Sequence, residues 1–366
     1  MASYQKPYLT TDDQVDLLLS RGMAITDVGR AKSCLSRIGY YRLSAYWYPN
    51  RQSENYTHPD SNRQRARVLD DFREGTHFSQ ALDFYVFDKK LRLLVMDALE
   101  RVEVGLRTDI AIRMGHHGAW AHRDTSKLHG KFSRPKVAPS RIAEIQRLAR
   151  QDPRPTNQSI AHSVGVGQRT VTLVLKNPRK AAQSNFDEWL SRLDDKFKKS
   201  KEDFAKHFKE KYPDDVPPIW VAVELWDFGT LSHFFGGMKL ADRDAIAANY
   251  GIPSGEILAG WLRNLNDVRN FCAHHSRLWN RNLPFIPTWP EPEQMPDLDH
   301  VSDQTHSLSR FYASAVILRH LLSTINPTST WGGRLAEHIS TLPDSPYVTL
   351  ASAGFPEDWF NQNIWK

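Results

Sequence analysis

The feature that most restricts what this chain can fold into is an unbroken helical signal over residues 79–115. Leu91, Leu94, Val95, Ala98, Leu99, Val102, Leu106 and Ile110 recur at spacings of three and four, no proline interrupts, and Gly115 suits a C-terminal stop. Asp12 to Arg21 places Val15, Leu18 and Leu19 at helical spacing behind Thr10, Thr11 and Asp12 as N-cap candidates, and Gly22, Gly29 and Gly39 punctuate the following turns. A charged amphipathic helix is expected from Phe186 to Tyr212. Further helices are expected over 220–237, 241–249, 255–279 and 303–325. Residues 49–77 are polar and read as a loop with a short turn, residues 284–298 carry five prolines and read as loop, and residues 340–366 read as irregular. Strand alternation with turn pairs is nearly absent, so the expected class is all-α.

Charge is distributed unevenly. The net charge is +6, but Arg123 to Lys180 holds 13 Lys and Arg against three acids (Asp124, Glu144 and Asp152), a net of +10, so the rest of the chain sums to −4. A basic stretch points to an anionic partner, chiefly nucleic acid. Two cysteines, Cys34 and Cys272, form neither a C-x-x-C pair nor a metal-ligand spacing, as suits a reducing compartment. The N-terminus lacks a basic start followed by an apolar stretch, and the strongest apolar run, Ile219 to Trp226, is short and holds Glu224. The expectation is a cytoplasmic protein with no membrane partner.

The segment Trp261 to Arg281 concentrates the candidate chemistry. It places Arg269, Asn270, His274, His275, Arg277 and Arg281 on one helix and its C-terminal exit, with Leu262, Leu265, Val268 and Cys272 as the packing side. On a helix Asn270 and His274 lie about 40° apart, and His275 about 100° further round. RNA cleavage needs a base for the 2′-hydroxyl, an acid for the leaving oxygen and a cation for the phosphate. Histidine can do either proton task near neutral pH, and arginine binds phosphate bidentately. Asp267 stands alone, so no carboxylate cluster for a divalent metal is expected, nor any cofactor. His116, His117 and His122 lack a Cys or acidic partner at ligand spacing and read as ordinary. An Arg-x-x-x-x-His spacing alone is weak, since a helical histidine is more often structural.

Arg269-Asn-Phe-Cys-Ala-His274 resembles the Arg-Asn-x-x-x-His signature of HEPN ribonuclease domains, and the longer string to Arg281 resembles the Abi-like family that includes abortive-infection proteins D and F. Ile38 to Trp47, Phe87 to Arg107, Pro218 to Trp226, Phe228 to Ser232, Gly354 to Trp359 and Ile364 to Lys366 are similar to further family blocks in order. The resemblance implies a HEPN-like helical bundle and a phage-defence effector, a toxin whose metal-independent endoribonuclease site pairs two motif copies across a homodimer. It also raises a neutralising RNA or protein partner, which the sequence does not identify. His274 would be general acid or base, Arg269 would bind the scissile phosphate and Asn270 would position. His275, Arg277 and Arg281 would support RNA binding. The alternative second half of the site is the central helix, where Glu100, Glu103 and Arg107 share a face; the plainer accounts are a solvated salt-bridge ladder or a buried pair orienting the motif helix, and the orienting role is favoured over direct catalysis.

On this reading the organisation is an N-terminal helical and aromatic region (1–78), a HEPN-like core (79–122 and 186–325), a basic insertion (123–185) and a tail packed on the core (326–366). Within the insertion, Gln158 to Pro178 resembles the helix-turn-helix of lac-repressor-type regulators. Ala161 is small where helices would cross, Gly165 permits the turn, and Gln168, Arg169 and Thr170 would open a recognition helix ending near Lys176. Leu173 departs from that pattern, where an exposed polar residue is usual. The simpler alternative is a basic helical hairpin with no groove reading. Two readings therefore compete: an endoribonuclease, and a non-catalytic RNA- or DNA-binding regulator that uses the insert.

Overall fold

The computed structural model describes residues 5, 7–57, 63–302 and 306–366, and among these the chain forms eighteen α-helices, short 3-10 turns and one pair of strands. The class is mostly α, as expected. No helix among the described residues is long and apolar enough to cross a membrane.

The long helix runs Phe78–Gly115. Its stripe is buried as the spacing requires: Leu91, Val95, Ala98, Leu99, Val102, Leu106 and Ile110 are each at most 1 % exposed. The first helix is Thr11–Ser20, and Thr10 caps it reciprocally with Asp13: the Thr10 hydroxyl accepts from the Asp13 N–H and the Asp13 carboxylate accepts from the Thr10 N–H. Gly29 does not punctuate; it lies inside the helix Val28–Ile38, which Asp27 caps. Phe186 to Tyr212 divides into Asn185–Lys199 and Asp203–Lys211, because Ser200 to Glu202 leave helical geometry.

The polar stretch 49–77 corrects the expectation of a loop. It contains two antiparallel strands, Arg51–Thr57 and Gln64–Phe72, paired from Arg51↔Phe72 to Thr57↔Gln64 with one register shift between Arg51 and Ser53. Nearly every residue of both strands is exposed, so no alternation of apolar and polar residues was available to reveal them. The expected helix at 303–325 is Phe311–Ile325; positions 303–305 lie outside the described residues. That helix is buried on nearly all sides. A further helix, Trp331–Ser340, precedes the irregular, tryptophan-bearing end.

The chain divides into two compact units, and two of the four junctions, Leu99/Glu100 and Asn266/Asp267, fall inside helices. One comprises Met1–Leu99, Asp267–Ile286 and Pro296–Lys366, with Trp47, Phe311, Tyr312, Trp331 and Phe355 fully buried. The other comprises Glu100–Asn266 and Pro287–Met295, with Trp226, Phe228, Phe234, Phe235 and Trp261 fully buried.

Candidate active site

The motif helix is Gly255–Ala273, and Leu262, Leu265, Val268 and Cys272 are its buried side, at most 4 % exposed. It stops six residues short of the expected 279. His274 still closes a helical bond to the Asn270 carbonyl (2.9 Å), and then the chain reverses. The His275 N–H donates to the Cys272 carbonyl (3.1 Å) and the Ser276 N–H to the Phe271 carbonyl (2.8 Å), the double bond pattern of a left-handed helix cap. Such caps usually use glycine, yet His275 occupies it at φ +56°.

That reversal is held by several groups. Arg42 donates to the His275 carbonyl (2.7 Å), and Arg92 to the Ser276 carbonyl (3.3 Å). Arg277 donates to the Ala45 carbonyl, and Arg310 to the Asn280 carbonyl (3.0 Å). Asp88, 1 % exposed, accepts from the Leu278 and Trp279 N–H groups (3.1 and 2.9 Å) and from the Tyr46 hydroxyl (2.8 Å), and pairs with Arg92. Burial pushes the Asp88 carboxyl up, while Arg92 and the Trp279 N–H pull against it. None of Arg42, Tyr46, Asp88 or Arg92 was singled out from the sequence. All lie inside the blocks quoted for the family resemblance, but nothing in spacing links Asp88 to a backbone 190 residues away.

Beside this anchored exit, His274 is exposed and Arg269 and Asn270 are half-buried. Arg269 reaches the Asn270 side-chain oxygen at 3.5 Å, its Nε is enclosed without a hydrogen-bond partner, and among the described residues no ion pair engages it. Arg281 lies with its guanidinium 4.0 Å from the Phe271 ring centroid. Arg277 is turned into the protein, and burial lowers its pKa from the usual arginine range. Cys272 is removed from chemistry, since burial pushes its thiol up to about 12. The helix end offers the exposed His274 imidazole, the Arg269 guanidinium and the Asn270 amide, with a second exposed imidazole, His275, next in sequence.

Glu103 and Arg107 belong to the other unit. There they pair with each other, and Arg107 also donates to the Trp226 carbonyl from Nε (3.0 Å) and Nη2 (2.7 Å). His117 and Arg113 both meet Asp242, at 2.8 and 2.7 Å, and His122 is fully buried. In the basic segment Gln168, Arg169 and Lys176 are exposed, Thr170 is half-buried, and all four lie on the helix Gln168–Lys176. Leu173 is half-buried against that segment's apolar cluster, which accounts for its departure from a polar residue.

Another face of the helix Tyr40–Trp47, which carries Arg42, borders a cleft of about 870 Å³ lined in part by Tyr8, Tyr40, Tyr41, Tyr48, Arg21 and Arg51. Tyr8 and Tyr41 are 89 % and 80 % exposed, so their rings are free to stack on a ligand.

A family model described as Abi-like protein matches residues 33–280. No curated protein and no solved structure matches the chain.

Proposed function

The chain belongs to the Abi-like protein family, and from that premise we propose that it is an abortive-infection effector, acting in phage defence as a metal-independent endoribonuclease with a HEPN-type site. The observation that carries the reading is an exposed His274 close in sequence to an Arg269 that no carboxylate among the described residues neutralises, both at the anchored end of one helix. Among the described residues no three His, Cys, Asp or Glu side chains gather as metal donors, which favours chemistry by these residues themselves.

The 2′-hydroxyl of RNA attacks the adjacent phosphorus, the bond to the 5′-oxygen breaks, and one proton leaves the 2′-oxygen while another reaches the 5′-oxygen. His274 carries one of these transfers, Arg269 offsets the charge that builds on the phosphoryl oxygens, and Asn270 orients. The products are a 2′,3′-cyclic phosphate and a 5′-hydroxyl. One motif copy per chain supplies one such histidine, so the second proton carrier comes from a second copy of the chain in a homodimer. The tyrosine cleft favours single-stranded RNA, whose unpaired bases can stack on aromatic rings.

The test is digestion of total RNA by purified protein in EDTA. Cleavage is expected for the wild type and a loss of about 10²–10⁴ in rate for His274→Ala. Activity that requires magnesium, or that survives His274→Ala, overturns the mechanism. RNA bound but never cleaved selects the second reading, a non-catalytic binder.

A further inference from the structure

The basic segment has a core of its own. Ile145, Ile160, Val171, Val174 and Ala181, from four successive helices, are buried together. The helix Asn157–Val164 begins at Thr156, whose hydroxyl accepts from the Ser159 N–H. It ends at Gly165, φ +67°, where the Gly165 and Val166 N–H groups donate to the His162 and Ala161 carbonyls (3.3 and 3.0 Å). This is the same cap as at His275, here on the glycine that suits it. Gly167 then opens the helix Gln168–Lys176. Two helices joined by three residues, with Pro139–Leu148 packed against both, make a helix-turn-helix.

The outer face of the second helix is the informative part. Val171 and Val174 are fully buried. Opposite them, Arg169 and Lys176 stand about 20° apart around the axis and about 10 Å apart along it, with Gln168 and Thr172 beside them. Of the thirteen cations between Arg123 and Lys180, the structure gives ion pairs to Arg123, Lys136 and Arg147. Arg141, Arg150, Arg154, Arg179 and Lys180 are exposed like Arg169 and Lys176, and none of these seven forms an ion pair among the described residues.

We propose that the helix Gln168–Lys176 docks in the major groove of double-stranded DNA, so that the protein carries a DNA-binding module besides its RNA-cleaving site. A helix about 10–12 Å across fits the B-form major groove, about 12 Å wide, whereas the deep, narrow major groove of duplex RNA does not admit it. Arg169 and Lys176 each reach a phosphate bordering the groove, and the surrounding exposed cations neutralise flanking phosphates.

The proposal is tested with the full chain by fluorescence anisotropy, using a 30-base-pair mixed-sequence DNA duplex and the RNA duplex of the same sequence between 50 and 200 mM salt. Wild type and His274→Ala should bind the DNA duplex alike, and tighter than the RNA duplex. The exposed-face variant Arg169→Ala/Lys176→Ala should bind DNA at least about tenfold more weakly. Its slope of log affinity against log salt should be shallower by about two, one for each lost phosphate contact. Protection of guanine N7 from methylation should accompany binding, because that atom faces the major groove. Equal DNA affinity and slope in the variant, or duplex RNA bound as tightly as DNA, overturns the proposal. Since the readout is DNA binding, a negative result leaves the RNA-cleavage reading standing, and the reverse also holds.

Discussion

The His122 imidazole is fully buried, and neither ring nitrogen has a hydrogen-bond partner. Burial, helped by nearby Arg123, lowers its pKa to about 3 from the ordinary 6.5. Above pH 6.5 the imidazole is neutral both in the folded chain and in the unfolded chain, so it contributes no pH dependence there. Below that pH the unfolded chain takes a proton that the folded chain refuses, and stability falls by about 1.4 kcal/mol per pH unit down to the folded value. Between pH 6.5 and 4.5 the wild type should therefore lose about 2–3 kcal/mol more stability than His122→Leu. Urea unfolding at the two pH values measures this, and equal losses would show that His122 is protonated in the fold. His275 is the contrasting case: an exposed histidine whose backbone, not its ring, is the constrained part.

Among elements, the reversal after Ala273 depends on groups far away in sequence. Asp88 gathers Tyr46, Arg92 and two backbone N–H groups of the exit. Replacing it by Asn keeps the shape, but it leaves Arg92 buried without its charge partner and one acceptor atom becomes a donor. Asp88→Asn should destabilise the protein by about 3–5 kcal/mol, the usual consequence of breaking a buried pair. RNA cleavage should fall with it even at temperatures where the variant stays folded, because the residues after His274 lose their anchor. Thermal unfolding and cleavage at low temperature give the two measurements; unchanged values for both would mean that the exit holds without Asp88. The basic segment needs no such distant anchor. Its turn is set by Gly165, legible in sequence, and its helix start by Thr156.

For the whole molecule, the proposed chemistry needs two histidines, and each chain brings one motif. Light scattering of purified protein should therefore give about twice the chain mass of 42.1 kDa. A monomer that still cleaves RNA would require a second proton carrier from the same chain. The surplus of cations is a property of one folded segment with its own apolar cluster, and the remainder of the chain is net acidic.

Much of this fold is written in the sequence. The 3.6-residue period of Leu91 to Ile110, the cap at Thr10, and the apolar side of the motif helix follow from local physics, because periodic burial and terminal hydrogen bonds act over a few residues. The turn at Gly165 is legible for the same reason, whereas the Arg269-Asn-x-x-x-His274 string stands out by its resemblance to a family signature. The strands at Arg51–Thr57 and Gln64–Phe72 were not legible, since exposed strands carry no apolar alternation. The early helix end, the left-handed His275 and the role of Asp88 were also beyond reach. They are decided by hydrogen bonds between backbone groups and side chains up to about 230 residues apart, as Arg42 to His275 shows, and only folding creates such partners.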